Sequence, residues 1–475
     1  MLFNSVEFLI FFPVVTIAYF AIPLRARWAL LLVASSVFYM AFIPKYVLII
    51  YGTIIVDYIA GRMIEKAAGR RRKAWLISSL VANIGALAVF KYCNFFIDNA
   101  NALAGVFDLP FSAGHLEIIL PIGLSFHTFQ AMSYTIEVYR GNVPAERNFA
   151  VYALYVLFYP QLVAGPIERP QHIIHQLREE HRFDAARVTD GLRLMLWGFF
   201  KKTVVADRLA HIVDVVYANP EAWPGPVLML ASVAFAFQIY ADFSGYSDIA
   251  IGAARVMGIE LMTNFRQPYL SRSVSEFWSR WHISLSSWFR DYLYIPLGGN
   301  RLGAVRTTIN LMTTFMISGL WHGASWTYVI WGALNGCYLV LERIGGANRG
   351  TSLVRLAVTF TLICFSWIFF RASNVAEALR VIAGLGRDFG AFLRPVEVLR
   401  AFDRADLDWY KLVVAFAGVI VLAVVDRRAN RAKESVSMLL ARLPMAPRWA
   451  LYYATGIAIA VLGWYGEQQF IYFQF

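Results

Sequence analysis

The sequence predicts an all-α polytopic membrane protein. Three observations lead there. Of 475 residues, 59% are hydrophobic and 16% charged, where soluble chains average roughly 45–50% and about 25%. The apolar residues gather in blocks of about 17–25, enough for a helix to cross a hydrocarbon core of ~30 Å. The blocks lack period-2 alternation, so they read as helices and not as strands of a closed barrel, the only other fold that spans lipid.

In chain order the candidate spans are 6–23, 28–44, 47–60, 75–98, 117–138, 149–165, 192–216, 226–256, 305–320, 324–343, 353–371, 411–426 and 447–465. Several are short for a full crossing, so about ten to twelve true crossings are expected, in a single domain over 1–475. No repeat of fixed period and no low-complexity stretch interrupts them, which weighs against an inverted-repeat transporter. The first segment, Val6–Pro23, has no basic residue before it and no small-x-small cleavage site. It reads as a retained span.

The formal net charge is +12, and it is clustered beside spans. Arg25 and Arg27 follow the first span. Arg62, Lys66, Arg70, Arg71, Arg72 and Lys73 follow the third, and Arg427, Arg428, Arg431 and Lys433 follow Lys411–Val425. The positive-inside rule puts these loops in the cytoplasm and the N-terminus outside. Loop clusters of this kind do not form the basic face of a nucleic-acid-binding domain, so no nucleic acid partner is expected. Cys93, Cys337 and Cys364 lie in or beside apolar runs without metal spacing, and read as packing residues.

Two stretches are neither spans nor simple loops. Glu168–Arg187 is charge-dense and contains His172, His175 and His181. No carboxylate pattern completes a metal site around its H-x-x-H pair, so a solvated interfacial helix is the expectation. In Phe277–Leu297, Trp281, Leu285, Trp288, Tyr292 and Ile295 recur at spacings of 4, 3, 4 and 3. This predicts one amphipathic helix, with His282 and Ser286 one turn apart on a flank, stopped by Pro296 and Gly298–Asn300. Such a helix lies at an interface or lines a cavity.

Ionisable groups at membrane depth are costly, which makes them functional candidates. Asp242 and Asp248 interrupt an apolar span, about 120° apart on a helix, which rules out a shared-proton dyad. Gln238, Asp242 and Tyr246 stack on one face, and structural pairing of the aspartates with Arg or His is the plainer reading. His127 and Glu137 sit in another apolar run, where packing or cavity lining is expected. Gly165-Pro166 reads as a rigid exit turn.

His322 has a different setting, in "GLWHGASW" between the apolar runs Thr307–Ser318 and Trp326–Leu341. Gly319 and Gly323 allow close backbone approach, and Trp321 and Trp326 offer flat walls. A dry site disfavours a charged imidazole, and the neutral ring is a competent general base. No P-loop, G-x-G-x-x-G, H-E-x-x-H or G-x-S-x-G motif occurs. A nucleotide-driven pump, a zinc protease and an α/β-hydrolase therefore lack support.

"EFWSRWHISLSSWFRDYLYIPLGGNR" (Glu276–Arg301) followed by "GLWHGASWTYVIWGALNG" (Gly319–Gly336) resembles the membrane-bound O-acyltransferase family, in its bacterial alginate O-acetylase-like branch. "LPIGLSFHTFQAMSY", "AGPIER", "ADFSGYSDIAIG", "NFRQPYLSRS" (Asn264–Ser273) and the terminal "FIYFQF" (Phe470–Phe475) fall in the same order. The resemblance spans nearly the whole chain. It implies a ring of tilted helices around a central tunnel entered from both membrane faces, in a bacterial inner membrane. It puts the family's catalytic histidine at His322 and a second functional histidine at His282. Trp321, Trp326, Gly319, Gly323, Asp242, Tyr246, Ser286 and Asn264 are the expected tunnel residues.

The implied reaction moves an acetyl or other small acyl group from a cytosolic thioester, such as acetyl-CoA, to an exported hydroxyl. The acceptor is a polysaccharide or an extracytoplasmic acetyltransferase. His322 acts as general base or carries the acyl group briefly, and His282 positions the acceptor or stabilises an oxyanion. No bound cofactor and no metal are expected. His127 stands where some alginate-type members carry an aromatic, which leaves the sugar open: alginate-like polymer, cellulose, peptidoglycan or teichoic acid. A transporter or channel, or a non-catalytic subunit of a secretion complex, remains as a rival reading.

Overall fold

The computed structural model describes residues 1–118, 120–163, 165–346, 352–405, 407–465 and 470–471. Among these, every regular element is helical. Among the described residues, five helices are long and apolar enough to cross a membrane: Pro44–Lys66, Gly69–Val106, Gly225–Met257, Leu353–Arg371 and Trp409–Ala432. Fewer segments meet that test than the ten to twelve expected, because several apolar runs are broken. The run 117–138 becomes helical only at Leu124, after Gly123 takes a left-handed conformation (φ 75°). The run 149–165 holds a nine-residue helix, Phe149–Leu157. The run 192–216 is interrupted by the π-helical turn Phe200–Ala206. Hydropathy registers an apolar stretch but not the turn that divides it.

The chain forms two compact units. The first comprises Met1–Gly191 with Ala253–Met262. Polar side chains tie its helices together. Asp57 on Val47–Lys66 accepts hydrogen bonds from Ser79 Oγ at 2.6 Å and Asn83 Nδ2 at 2.9 Å. Ser79 also donates to Thr135 on Leu124–Arg140 at 3.0 Å. Where lipid offers no partner, such bonds hold helices at fixed register. His127 joins the same interior, 2.6 Å from Thr53 Oγ1. This is the packing role expected for it.

Glu168–Arg187 does not form the expected interfacial helix. Only Pro170–Ile173 is helical before the segment turns. Glu168 is fully buried and accepts from Met262 N at 2.5 Å, and the Gln176 amide bonds the Glu260 backbone twice, donating Nε2 to its carbonyl at 3.1 Å and accepting from its N–H on Oε1 at 2.8 Å. Tertiary partners for a buried carboxylate outweigh the solvated face that the charge density suggested.

The second unit comprises Leu192–Gly252 and Thr263–Phe475. Within it the Leu192–Phe199 segment and the Gly225–Met257 helix meet at Gly198 and Gly245. A Cβ on Gly198 would stand 2.6 Å from the Gly245 carbonyl oxygen. That contact sets two lysines, Lys201 and Lys202, beside the aspartates of the Gly225–Met257 helix.

Candidate active site

His322 is the last residue of the helix Gly303–His322, and Trp326–Ile344 follows after three residues. Ser325 caps that second helix by accepting from Thr327 N at 3.3 Å. The two helices pack backbone to backbone. A Cβ on Gly319 would stand 2.2 Å from the Tyr328 carbonyl oxygen, and one on Gly332 2.3 Å from that of Phe315. A Cβ on Gly323 would stand 2.1 Å from the Tyr328 ring. Small residues permit this approach in a membrane, as the glycines of the motif predicted.

The His322 ring is 4% exposed and enclosed by aromatic rings. Centroid distances are 5.0 Å to Trp321, 5.0 Å to Trp331 and 5.2 Å to Phe370, at interplanar angles of 75°, 86° and 71°. Trp367 stacks on Trp331 at 5.7 Å and closes the outer layer. Trp326, expected as a wall, is instead 54% exposed at the start of its helix. Trp331 takes its place because it lies further along Trp326–Ile344, on the side that faces Gly303–His322. Nothing in the sequence distinguished Trp331, Trp367 and Phe370 from lipid-facing aromatics.

The predicted single helix over Phe277–Leu297 is broken at the second histidine. Val274–Arg280 ends, His282 adopts a left-handed backbone (φ 42°), and Ile283–Phe289 begins. A π-helical turn, Arg290–Tyr294, follows. Asn264 causes the break. Its carbonyl accepts from Ile283 N at 2.9 Å and its Oδ1 from Ser284 Oγ at 2.9 Å. Its Nδ2 donates to Ser247 Oγ at 3.2 Å, so the bend is tied to the Gly225–Met257 helix. A left-handed non-glycine residue costs of order 1–3 kcal/mol, and such strain clusters at functional sites. His282 is 1% exposed, 4.6 Å from the Phe243 ring and 6.4 Å from Trp321. Both predicted histidines therefore pack against the Trp321 indole.

Ser286 donates to the Trp281 carbonyl at 3.1 Å and lines a cavity of about 350 Å³. Trp278, Ile283, Phe289, Phe315 and Ser318 line it too. Ser318, the lining residue furthest along the helix Gly303–His322, lies one turn before His322. Its walls are largely apolar with serine hydroxyls, the make-up of a small-molecule pocket.

Asp242 is buried, but its partner is not the arginine or histidine expected. Lys202 Nζ lies 2.8 Å from Asp242 Oδ1 and 2.8 Å from Asp207 Oδ1, all three side chains at 3–4% exposure. Lys201 pairs with Asp248 at 2.6 Å. Two lysines inside the apolar run 192–216 were a readable signal that sequence reasoning passed over. Asp242 Oδ2 also accepts from Ile471 N at 2.8 Å, and Tyr246 packs on Phe470 at 4.5 Å. Residues 472–475 of the terminal "FIYFQF" lie outside the described residues. Asp242 and Tyr246 thus hold chain against chain in this structure.

Among the described residues, no group of three or more His, Cys, Asp or Glu is placed to hold a metal ion. His172 of the H-x-x-H pair is engaged by Glu168, Nδ1 to Oε2, at 2.6 Å. What the site offers is an enclosed imidazole, a strained second histidine and a cavity whose lining comes within one helical turn of His322. That set suits proton transfer and acyl transfer from a dry pocket.

A model of the membrane-bound O-acyltransferase family matches residues 118–387. A probable alginate O-acetylase of Pseudomonas syringae pv. tomato is 40% identical over 452 residues, covering 92% of this chain and 84% of that protein. One of Pseudomonas aeruginosa is 41% identical, covering 89% and 81%. A peptidoglycan O-acetyltransferase of Helicobacter pylori is 35% identical, covering 81% and 80%.

Proposed function

The chain belongs to the membrane-bound O-acyltransferase family, and from that premise we propose that it acetylates hydroxyls of an exported polysaccharide from a cytosolic thioester. It is a membrane enzyme, an O-acyltransferase acting on polysaccharide. Acetyl as the cargo, acetyl-CoA or another acyl thioester as donor, and an alginate-like acceptor are our reading. An extracytoplasmic acetyltransferase is the alternative first acceptor. The names borne by the Pseudomonas and Helicobacter relatives support acetyl on an exported glycan.

The observation that carries the reading is the His322 cage with a cavity of about 350 Å³ along the same helix. The thioester's acyl end enters that cavity. His322 takes the proton of the acceptor hydroxyl as its oxygen attacks the thioester carbonyl. A C–O bond forms, the C–S bond breaks, and the proton passes to the leaving thiolate. The aromatic walls keep out water, which would otherwise compete for the acyl group. His282 lies against the same indole and orients the acceptor or the developing oxyanion. Basic loops after the first and third spans support a donor entrance on the cytoplasmic side of a bacterial inner membrane, with the N-terminus outside.

The test compares wild type with His322→Ala in the native host at matched membrane levels. Ester-linked acetate is measured on extracellular polysaccharide and on cell wall. Loss in the variant alone supports the reading, and the fraction that lost acetate names the acceptor. Retention in both strains overturns His322 as the catalytic group and favours transport.

A further inference from the structure

We propose that the first unit carries a binding site for a phosphate-ester anion, separate from the acyl-transfer chemistry. The site is a cavity of about 290 Å³ between the end of Val6–Ala21 and the start of Leu24–Met40. Three guanidinium groups, Arg25, Arg27 and Arg178, line it with Trp28, Asn148 and Glu179.

The arginines are not equivalent. Arg27 is held in place: its Nη1 donates to the His181 carbonyl at 2.6 Å, and its guanidinium lies 4.8 Å over the Tyr19 ring. Arg178 is paired with Glu146. Arg25 is exposed and makes no hydrogen bond or ion pair among the described residues. Asn148 spends its Oδ1 on Ala150 N and Val151 N, which leaves its amide NH2 as the end able to donate. With Arg178 paired to Glu146, Arg25 and Arg27 outnumber Glu179 in the lining, which leaves it net positive and suited to an anion. Guanidinium groups and an amide donor recognise phosphate oxygens in a planar, bidentate manner.

Size and lining indicate the source. About 290 Å³ is at the low end of ligand pockets, which run ~300–1,000 Å³, so a headgroup fits and a whole cofactor does not. Leu24, Leu31, Val151 and Ile259 make the rest of the wall apolar, suited to a glycerol backbone. The positive-inside pattern sets this loop at the cytoplasmic surface, where basic pockets beside spans meet anionic lipid headgroups.

The full chain, purified in uncharged detergent, is titrated with phosphatidylglycerol, phosphatidylcholine and inorganic phosphate while its thermal unfolding midpoint is read. Arg25→Gln is the variant, because Arg25 makes no hydrogen bond or ion pair among the described residues. Phosphatidylglycerol is expected to raise the wild-type midpoint saturably, with apparent affinity at least tenfold weaker in Arg25→Gln and partly restored in Arg25→Lys. A saturable, Arg25-dependent response to inorganic phosphate that equals the phosphatidylglycerol response assigns the site to a soluble phosphate instead. Shifts of equal size in wild type and Arg25→Gln, or no shift with any probe, overturn the proposal.

Discussion

The imidazole of His322 meets the indole of Trp331 edge-on, their ring centroids 5.0 Å apart at 86°. The two lie on consecutive helices whose glycines bring the backbones into contact. The indole is both a wall and a seal, and its removal separates the two roles.

Trp331→Leu opens the cage while leaving an apolar side chain. Acetate on the acceptor is expected to fall about tenfold, a loss of ~1.4 kcal/mol of transition-state stabilisation. Hydrolysis of the thioester without acceptor is expected to rise, because water gains entry. Thiol release and acceptor ester are measured together in membranes. A parallel fall in both means that Trp331 holds the fold and does not exclude water.

His282 carries backbone strain as well as an imidazole. His282→Gly relieves the left-handed conformation and His282→Ala retains it. The glycine variant is expected to be the more stable by about 1 kcal/mol, since alanine bears the steric cost of that region. Both variants lose transfer if the imidazole takes part. Unfolding midpoints in detergent and ester content on the acceptor read the two effects separately. Equal midpoints argue that the surroundings relax the bend.

Lys202 pairs with two buried carboxylates, Asp207 and Asp242. Lys202→Met leaves both without their cation, a loss of roughly 3–5 kcal/mol by comparison with other broken buried pairs. Folded protein in the membrane is expected to drop sharply. The triple change Lys202→Met, Asp207→Asn, Asp242→Asn removes every charge and is expected to recover most of it. Fluorescence-detected size exclusion of the three proteins gives the answer. A well-folded single variant shows that the cluster is not needed for stability.

His172 gives the first unit a pH dependence outside the spans. Its hydrogen bond to Glu168 holds the imidazole's pKa above its ordinary value of 6.5, while burial works against it. The folded value exceeds the unfolded one, so the pairing is fully present below pH 6.5 and fades as pH rises through the raised value. The ring is 41% exposed, so solvent screening leaves only a few tenths of a kcal/mol, as for exposed pairs at about 0.2–1. The unfolding midpoint of wild type is expected to fall slightly between pH 6 and pH 9, and that of His172→Gln to stay flatter. Parallel curves remove His172 as the source.

The class of the protein was legible in its sequence, because hydropathy and helix length are local properties that a bilayer enforces directly. So was the His322 hairpin, whose glycines and flanking Trp321 are written within eight consecutive residues. Sequence also set His322 apart as an imidazole between two apolar runs, while His282 was marked only by the family resemblance. Tertiary structure decided the rest. It broke the helix at His282 through Asn264, eighteen residues upstream, whose hydrogen bonds outweigh an unbroken apolar stripe. It gave Asp242 a lysine partner forty residues away and exchanged Trp326 for Trp331 in the His322 wall. Periodicity records which face of a helix is apolar. Which neighbour meets that face depends on how distant segments pack, and that is settled only by the folded chain.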